Sequence, residues 1–176
     1  RCLAEAKHRT KLRELDERLL VKIQQEVEQE SYAPLGREAA RELIATIANS
    51  WYGNCDIFHW LQSCIYKTNS HSIPHETIVA ISNVWNGDLK VLAWLKHCAT
   101  HEYFLHESAM YRIGHEWKDA PDILPWLKEG AQDKSFVGRG MAVQELSLRW
   151  KEDKEVYQIL KKLVKGDDYE TRAMSV

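Results

Sequence analysis

The chain has 176 residues, 44% of them hydrophobic, which is enough for one domain with a sizeable buried core. Its 24 basic and 26 acidic residues leave a formal charge of −2 at pH 7, so no electrostatic excess argues for a nucleic-acid partner. No apolar run approaches the ~18 residues of a membrane helix, and Cys2, Cys55, Cys64 and Cys98 form no CxxC pair, so reduced thiols and a cytoplasmic location are expected.

Residues 1–30 are dense in charge and contain neither glycine nor proline. Leu12, Leu15, Leu19, Ile23 and Val27 fall on one helical stripe, which predicts a long amphipathic helix. Packing on the first following element is favoured over a coiled-coil arm, because a heptad pattern should persist for about three or four repeats. Residues 1–36 are read as this helix and a linker, and 37–176 as a repeat array, the whole forming one domain. The chain begins at Arg1 and stops after "YETRAMSV", and both ends read as cuts from a larger protein.

From residue 37 onward the tryptophans set a period. Trp51, Trp85, Trp117 and Trp150 are separated by 34, 32 and 33 residues, and the first three are followed nine residues later by Trp60, Trp94 and Trp126. Ile159 stands at the ninth place after Trp150, so all seven tryptophans lie on one lattice of about 33 residues. Four residues before each leading tryptophan stand Ile47, Ile81, Ile113 and Leu146, and seven before stand Ile44, Ile78, Met110 and Val143. That spacing marks one stripe of a helix, here called helix B, closed by the leading tryptophan. Six residues after stand Ile57, Val91, Ile123 and Val156, and ten after stand Leu61, Leu95, Leu127 and Leu160, the stripe of a second helix, A. The predicted order is B 38–51, A 55–67, B 75–85, A 88–99, B 103–117, A 121–131, B 136–150 and A 153–165, with another B starting near Tyr169. Each repeat is read as a hairpin turning at the leading tryptophan, with Asp119 or Asp122 as candidate helix caps. Neither helix buries its stripe alone, so hairpins must stack. The expected fold is all-α, an α/α superhelix: a right-handed HEAT/armadillo-like solenoid of antiparallel helix pairs.

Two motifs carry a family resemblance. Asp133, Arg139, Ala142, Val143, Leu146 and Trp150 spell D-x5-R-x-x-A-V-x-x-L-x3-W, and Trp117 to Ala131 spell W-K-D-x-P-x-x-L-P-W-L-K-x-x-A. Together they resemble the HEAT arrays behind NACHT-type NTPase modules of bacteria, notably cyanobacteria. The resemblance is clear over 85–176, weaker over 37–84 and absent before. It implies an Asp–Arg ladder between repeats, continued in part by Asp167 or Asp168 with Arg172. Repeat 85–117 departs from it, having His101 or Glu102 and His106 at those places. It also implies a recognition role, since the chain has no GxxxxGK[ST] phosphate loop.

Other chemistry competes poorly. His97, Cys98, His101 and His106 have partly metal-like spacing, but Cys98 lies on the core side of the lattice, and a turn is predicted within the stretch. No HExxH, Ser–His–Asp order or glycine-rich elbow occurs. The tryptophans beside carboxylates in "WKDAPDILPWLKEGAQD" could stack a base, as in HEAT-like DNA glycosylases; because they recur in every repeat, a structural role is preferred. No catalytic residue, cofactor or metal is expected. What does not follow the lattice is one face of helix B: Tyr111, Arg112, His115 and Glu116 in one copy, Gln144, Glu145, Leu148 and Arg149 in the next. Tyr111, Arg112, His115, Gln144, Glu145 and Arg149 are the candidate face for a protein partner, because in helical solenoids variation on the concave helices is where specificity is written. The alternative is a stand-alone HEAT-like enzyme of the bilin lyase or DNA glycosylase type.

Overall fold

The computed structural model describes residues 17–18, 21–22, 25, 37–67 and 72–165. Among the described residues there are eight helices and no strand: α1 Arg37–Ser50, α2 Cys55–Lys67, α3 Ser72–Val84, α4 Leu89–His101, α5 His106–Glu116, α6 Ile123–Gln132, α7 Arg139–Arg149 and α8 Lys154–Val164. They alternate as the predicted B and A helices. Of the predicted first helix, Glu17, Arg18, Val21, Lys22 and Gln25 are helical and exposed, and the rest lies outside the described residues, as does the helix expected near Tyr169.

The chain separates into two compact units at Ala80 and Ile81. In the first, α1 packs on α2, and Ile44, Ile47, Ile57, Leu61 and Ile65 are buried. In the second, α4 packs on α5, α6 on α7, α5 on α7, α6 on α8, and α7 on α8. Its core is Ile81, Val91, Leu95, Met110, Ile113, Ile123, Leu127, Val143, Leu146 and Val156. These are the lattice columns; each such side chain contributes roughly 1.5–3 kcal/mol when fully buried. On α8, the last described helix, Val156 keeps the buried column, but Tyr157 and Val164, seven and fourteen residues after Trp150, are exposed.

In the second unit the structure changes where the repeat is cut. The most extensive packing there joins α4 to α5 and α6 to α7, an A helix with the B helix after it. Trp117 therefore sits between tight pairs, whereas in the first unit α1 and α2 pack across Trp51 as the hairpin reading expects. The loops within the pairs, 102–105 and 133–138, explain why α5 and α7 start later than predicted. In the second loop Asp133 accepts from the Ser135 N–H at 2.8 Å and from its hydroxyl at 2.7 Å, and Arg139 Nε donates to the Ala131 carbonyl at 3.1 Å. Asp133 thus holds its own loop through Oδ1, and these bonds act with the charge of Arg139 to lower the pKa of its carboxyl.

The tryptophan joint makes the same two backbone hydrogen bonds in every copy. The N–H of Trp51, Trp85, Trp117 and Trp150 donates to the carbonyl four residues back, at 3.0–3.1 Å. Each tryptophan carbonyl then accepts from the residue three ahead: Asn54, Asp88, Ala120 and Asp153, at 2.9–3.1 Å. In the first two joints the residue before that donor is Gly53 (φ 82°) or Gly87 (φ 88°), and no other described residue has positive φ. An i to i+3 bond with positive φ only at i+2 is a type II turn, which demands glycine there. Gly87→Ala meets open space, so only backbone strain opposes it. A loss of about 1 kcal/mol is expected, read from the urea midpoint; an unchanged midpoint would contradict the turn.

Three of the joints end in a true cap. Asn54 accepts from the N–H of Asp56 and Ile57, Asp88 from Lys90, and Asp153 from Glu155 and Val156. The third joint has Ala120 in that column and starts its helix two residues later in register. Asp122 occupies the N-cap place there, but its side chain makes no capping bond, and the expectation that it caps is corrected. Its carboxylate is taken by Lys96, at 2.6 Å.

That ion pair is one rung of a ladder. Lys96 lies eleven residues after Trp85 and Asp122 five after Trp117; Lys128 lies eleven after Trp117 and Glu155 five after Trp150. Lys128 Nζ meets Glu155 at 2.6 Å and Asp153 at 3.1 Å, so two successive junctions repeat one geometry. The hydrogen bond from Lys96 holds the Asp122 carboxyl below its ordinary 3.8. Asp153 is lowered by the Val156 N–H and then by Lys128. Burial works against the charge of Lys128, but Glu155 and Asp153 outweigh it and raise it above 10.5. The aspartates' contribution is complete above 3.8 and is lost as pH falls through their lower folded values. That of Lys128 is present below 10.5 and is lost as pH rises through its higher folded value. Replacing Lys96 and Lys128 with methionine should lower the urea midpoint at low salt between those limits. The difference should vanish in about 1 M salt, because the pairs face solvent; a salt-independent difference would assign their effect to packing.

Candidate functional site

The candidate face occupies the ends of α5 and α7, the two B helices that pack on each other in the second unit. Its residues follow from helical spacing: positions one and five before the leading tryptophan are i and i+4 neighbours. Arg112 and Glu116 hold those places on α5 and are joined through Arg112 Nη1. Glu145 and Arg149 hold them on α7, where Arg149 Nε donates to Glu145 Oε2 at 2.5 Å. The order of charge is thus inverted between successive helices. At the same places α1 has Thr46 and Ser50, and α3 has Ala80 and Val84.

Glu145 is buried, and Glu116 and both arginines are half-buried. Glu145 is 1% exposed, which corrects its expected place on an open face. What covers it is α5: a Cβ on Gly114 would lie 2.1 Å from Glu145 Oε2, so the missing side chain of Gly114 is the berth of the carboxylate. The sequence reading missed Gly114. Its signal was a column of small residues three before each leading tryptophan: Ala48, Ser82, Gly114 and Ser147. Asn83 was missed as well; its side-chain oxygen accepts from Arg112 Nη1 at 3.1 Å. The second oxygen of Glu116 is buried without a hydrogen bond.

The remaining candidates gather above these pairs. Tyr111, 49% exposed, stacks on His115 with ring centroids 5.8 Å apart. The guanidinium carbon of Arg149 lies 5.9 Å from the Tyr111 ring centre. Leu148, beside Arg149, is 62% exposed. Gln144 is half-buried and is not part of this cluster's bonds. The structure therefore brings together Tyr111, His115, Glu145 and Arg149, with Arg112 turned toward Asn83 and Glu116.

No family model, curated protein or solved structure matches this chain. Its site is therefore read from its own chemistry.

The metal-like stretch resolves differently from the sequence reading. α4 runs through His101, so His97 and His101 do share one helix, and the turn comes after them. Their rings stack at 4.5 Å, and His101 Nδ1 lies 2.6 Å from the Thr100 hydroxyl. Cys98 faces the core, where burial pushes its thiol up to about 12, against the thiolate a metal requires. His106 Nδ1 is engaged by the Tyr103 carbonyl. Among the described residues no group of three His, Cys, Asp or Glu side chains is placed to hold a metal ion.

Nor are the paired tryptophans an open stacking platform. Trp117 is 4% exposed. Trp126 is half-buried between the edge of Phe136, 5.7 Å away, and the ammonium of Lys96, 5.2 Å from its centre. Among the described residues no helix is long and apolar enough to cross a membrane.

Proposed function

We propose that the chain is a recognition and scaffold module without catalysis of its own: a HEAT-type α/α superhelix in the cytoplasm whose B-helix face holds a protein partner. The observation that supports this reading is the contrast between what repeats and what does not. The joint and the Lys–acid ladder recur from copy to copy, as stacking units require. The end of the B face changes its residues and inverts its charge order while keeping tyrosine, leucine and arginine accessible. By the motif resemblance, the module is the sensor or interaction region of a larger NACHT-type NTPase. A phosphate-binding loop encoded upstream of Arg1 in the same reading frame is the expected mark of that parent.

The test places a photo-crosslinking residue at Leu148 or, for comparison, at the exposed Glu129 on α6, in the protein expressed in its native cells. A discrete protein adduct from Leu148, competed by unlabelled protein and absent from Glu129, is the expected result. Equal labelling from both positions would overturn the assignment of the face.

A further inference from the structure

The two arginines of the face are spent differently. Arg112 gives one nitrogen, Nη1, to both Asn83 and Glu116, which turns it toward α3. Arg149 is anchored by Nε alone, and its two Nη groups have no further hydrogen bond among the described residues. The anchor is firm: Glu145 is buried in the space left by Gly114 and accepts the Nε–H at 2.5 Å. The guanidinium also lies over the Tyr111 ring. An arginine held at its inner edge and against an aromatic ring presents a fixed pair of parallel N–H donors outward, the fork that matches a carboxylate.

We propose, building on the recognition reading above, that Arg149 is a preset clamp for a side-chain carboxylate of an acidic peptide segment in the partner. The exposed part of Tyr111 takes an apolar side chain next to that acid. The unused donor pair of Arg149 selects the occupant. Glu116 and Glu145 already neutralise the two arginines, so the face lacks the field that a nucleic acid or another polyanion needs, whereas one carboxylate gains a complete fork. Glu107, exposed one turn before Tyr111 on α5, adds a like charge that directs an incoming acid toward the Arg149 end. Arginine and tyrosine are also the residues on which interface energy concentrates.

A displayed library of random twelve-residue peptides, panned on the full chain, tests this. Enriched peptides should carry Asp or Glu beside an apolar residue. Changing that acid to its amide should weaken binding at least about tenfold. Arg149→Lys keeps a charge for Glu145 but removes the fork, and should weaken the same peptides about as much when compared well below the melting temperature of both proteins. Tyr111→Leu, at an exposed position, should weaken them several-fold. Enriched peptides that lack acids, or that bind Arg149→Lys like wild type, would overturn the clamp and leave a recognition face without it. If only phosphorylated versions of the peptides bind, a phosphate replaces the carboxylate and the proposal fails. Enrichment of no sequence also overturns the clamp, and the Leu148 adduct then decides separately whether the face holds a protein.

Discussion

Gly114→Ala is expected to destabilise the protein by about 2–3 kcal/mol, although the same change in an open helix stabilises it by roughly 1 kcal/mol. The added methyl would fall 2.1 Å from Glu145 Oε2 and 2.8 Å from its Cδ, so the carboxylate must leave its berth. Its departure breaks the bond to Arg149 and leaves a charge in a site that is 1% exposed. Separating a buried pair costs about 3–5 kcal/mol, and the gain in helix propensity offsets part of that. The change of sign is the diagnostic. Glu145→Ala vacates the space, so Gly114→Ala in that background should cost far less than alone, a coupling of at least about 1 kcal/mol. Urea midpoints of the four proteins measure it, and additive single effects would show that the two residues do not share a site.

Trp117→Ala should have the larger effect still, about 3–5 kcal/mol, from lost burial and the cavity left behind. Trp117 is 4% exposed and closes α5, whereas Trp150 at the equivalent place is half-exposed and should lose less on the same change. Trp117→Phe is informative in the other direction. The indole N–H is buried with no hydrogen-bond partner, so phenylalanine removes an orphaned donor together with part of the volume. Its cost should stay below about 2 kcal/mol. Denaturant unfolding of Trp117→Ala, Trp117→Phe and Trp150→Ala gives the order, and an equal loss for the two alanine variants would contradict the difference in burial.

The sequence made the helices legible because burial follows spacing. Ile47, Ile81, Ile113 and Leu146 share a column and are all fully buried. The phase of the repeat was not legible. A lattice is unchanged by where it is cut, and the packing differs between the units: α1 on α2 in the first, α4 on α5 and α6 on α7 in the second. Local chemistry misled where a distant residue competed. Asp122 reads as a cap, yet Lys96, 26 residues away, holds its carboxylate. Glu145 reads as exposed because its column varies through Thr46, Ala80 and Arg112, and its cover is an absence, the missing side chain of Gly114 on another helix. The i, i+4 charge pairs were within reach of the sequence; the stacking of Arg149 over Tyr111 was not, since it joins two helices whose contact no local pattern encodes.

Arrays of similar helices face a hazard of their own: one copy can settle against the wrong neighbour and be nearly as well packed. The columns that fill the core cannot prevent this, because they are alike. The berth at Gly114 can. Among the described B helices only α7 offers a carboxylate in its column, and only α5 has a gap to receive it, since α1 and α3 carry Ala48 and Ser82 at the corresponding place. Misplaced against either of those, Glu145 would be driven into a side chain. The pair acts as a key that identifies the correct neighbour while the chain assembles. Its removal should therefore appear as a lower yield of correctly folded protein on dilution from urea in Glu145→Ala, beyond what the shift in midpoint alone explains.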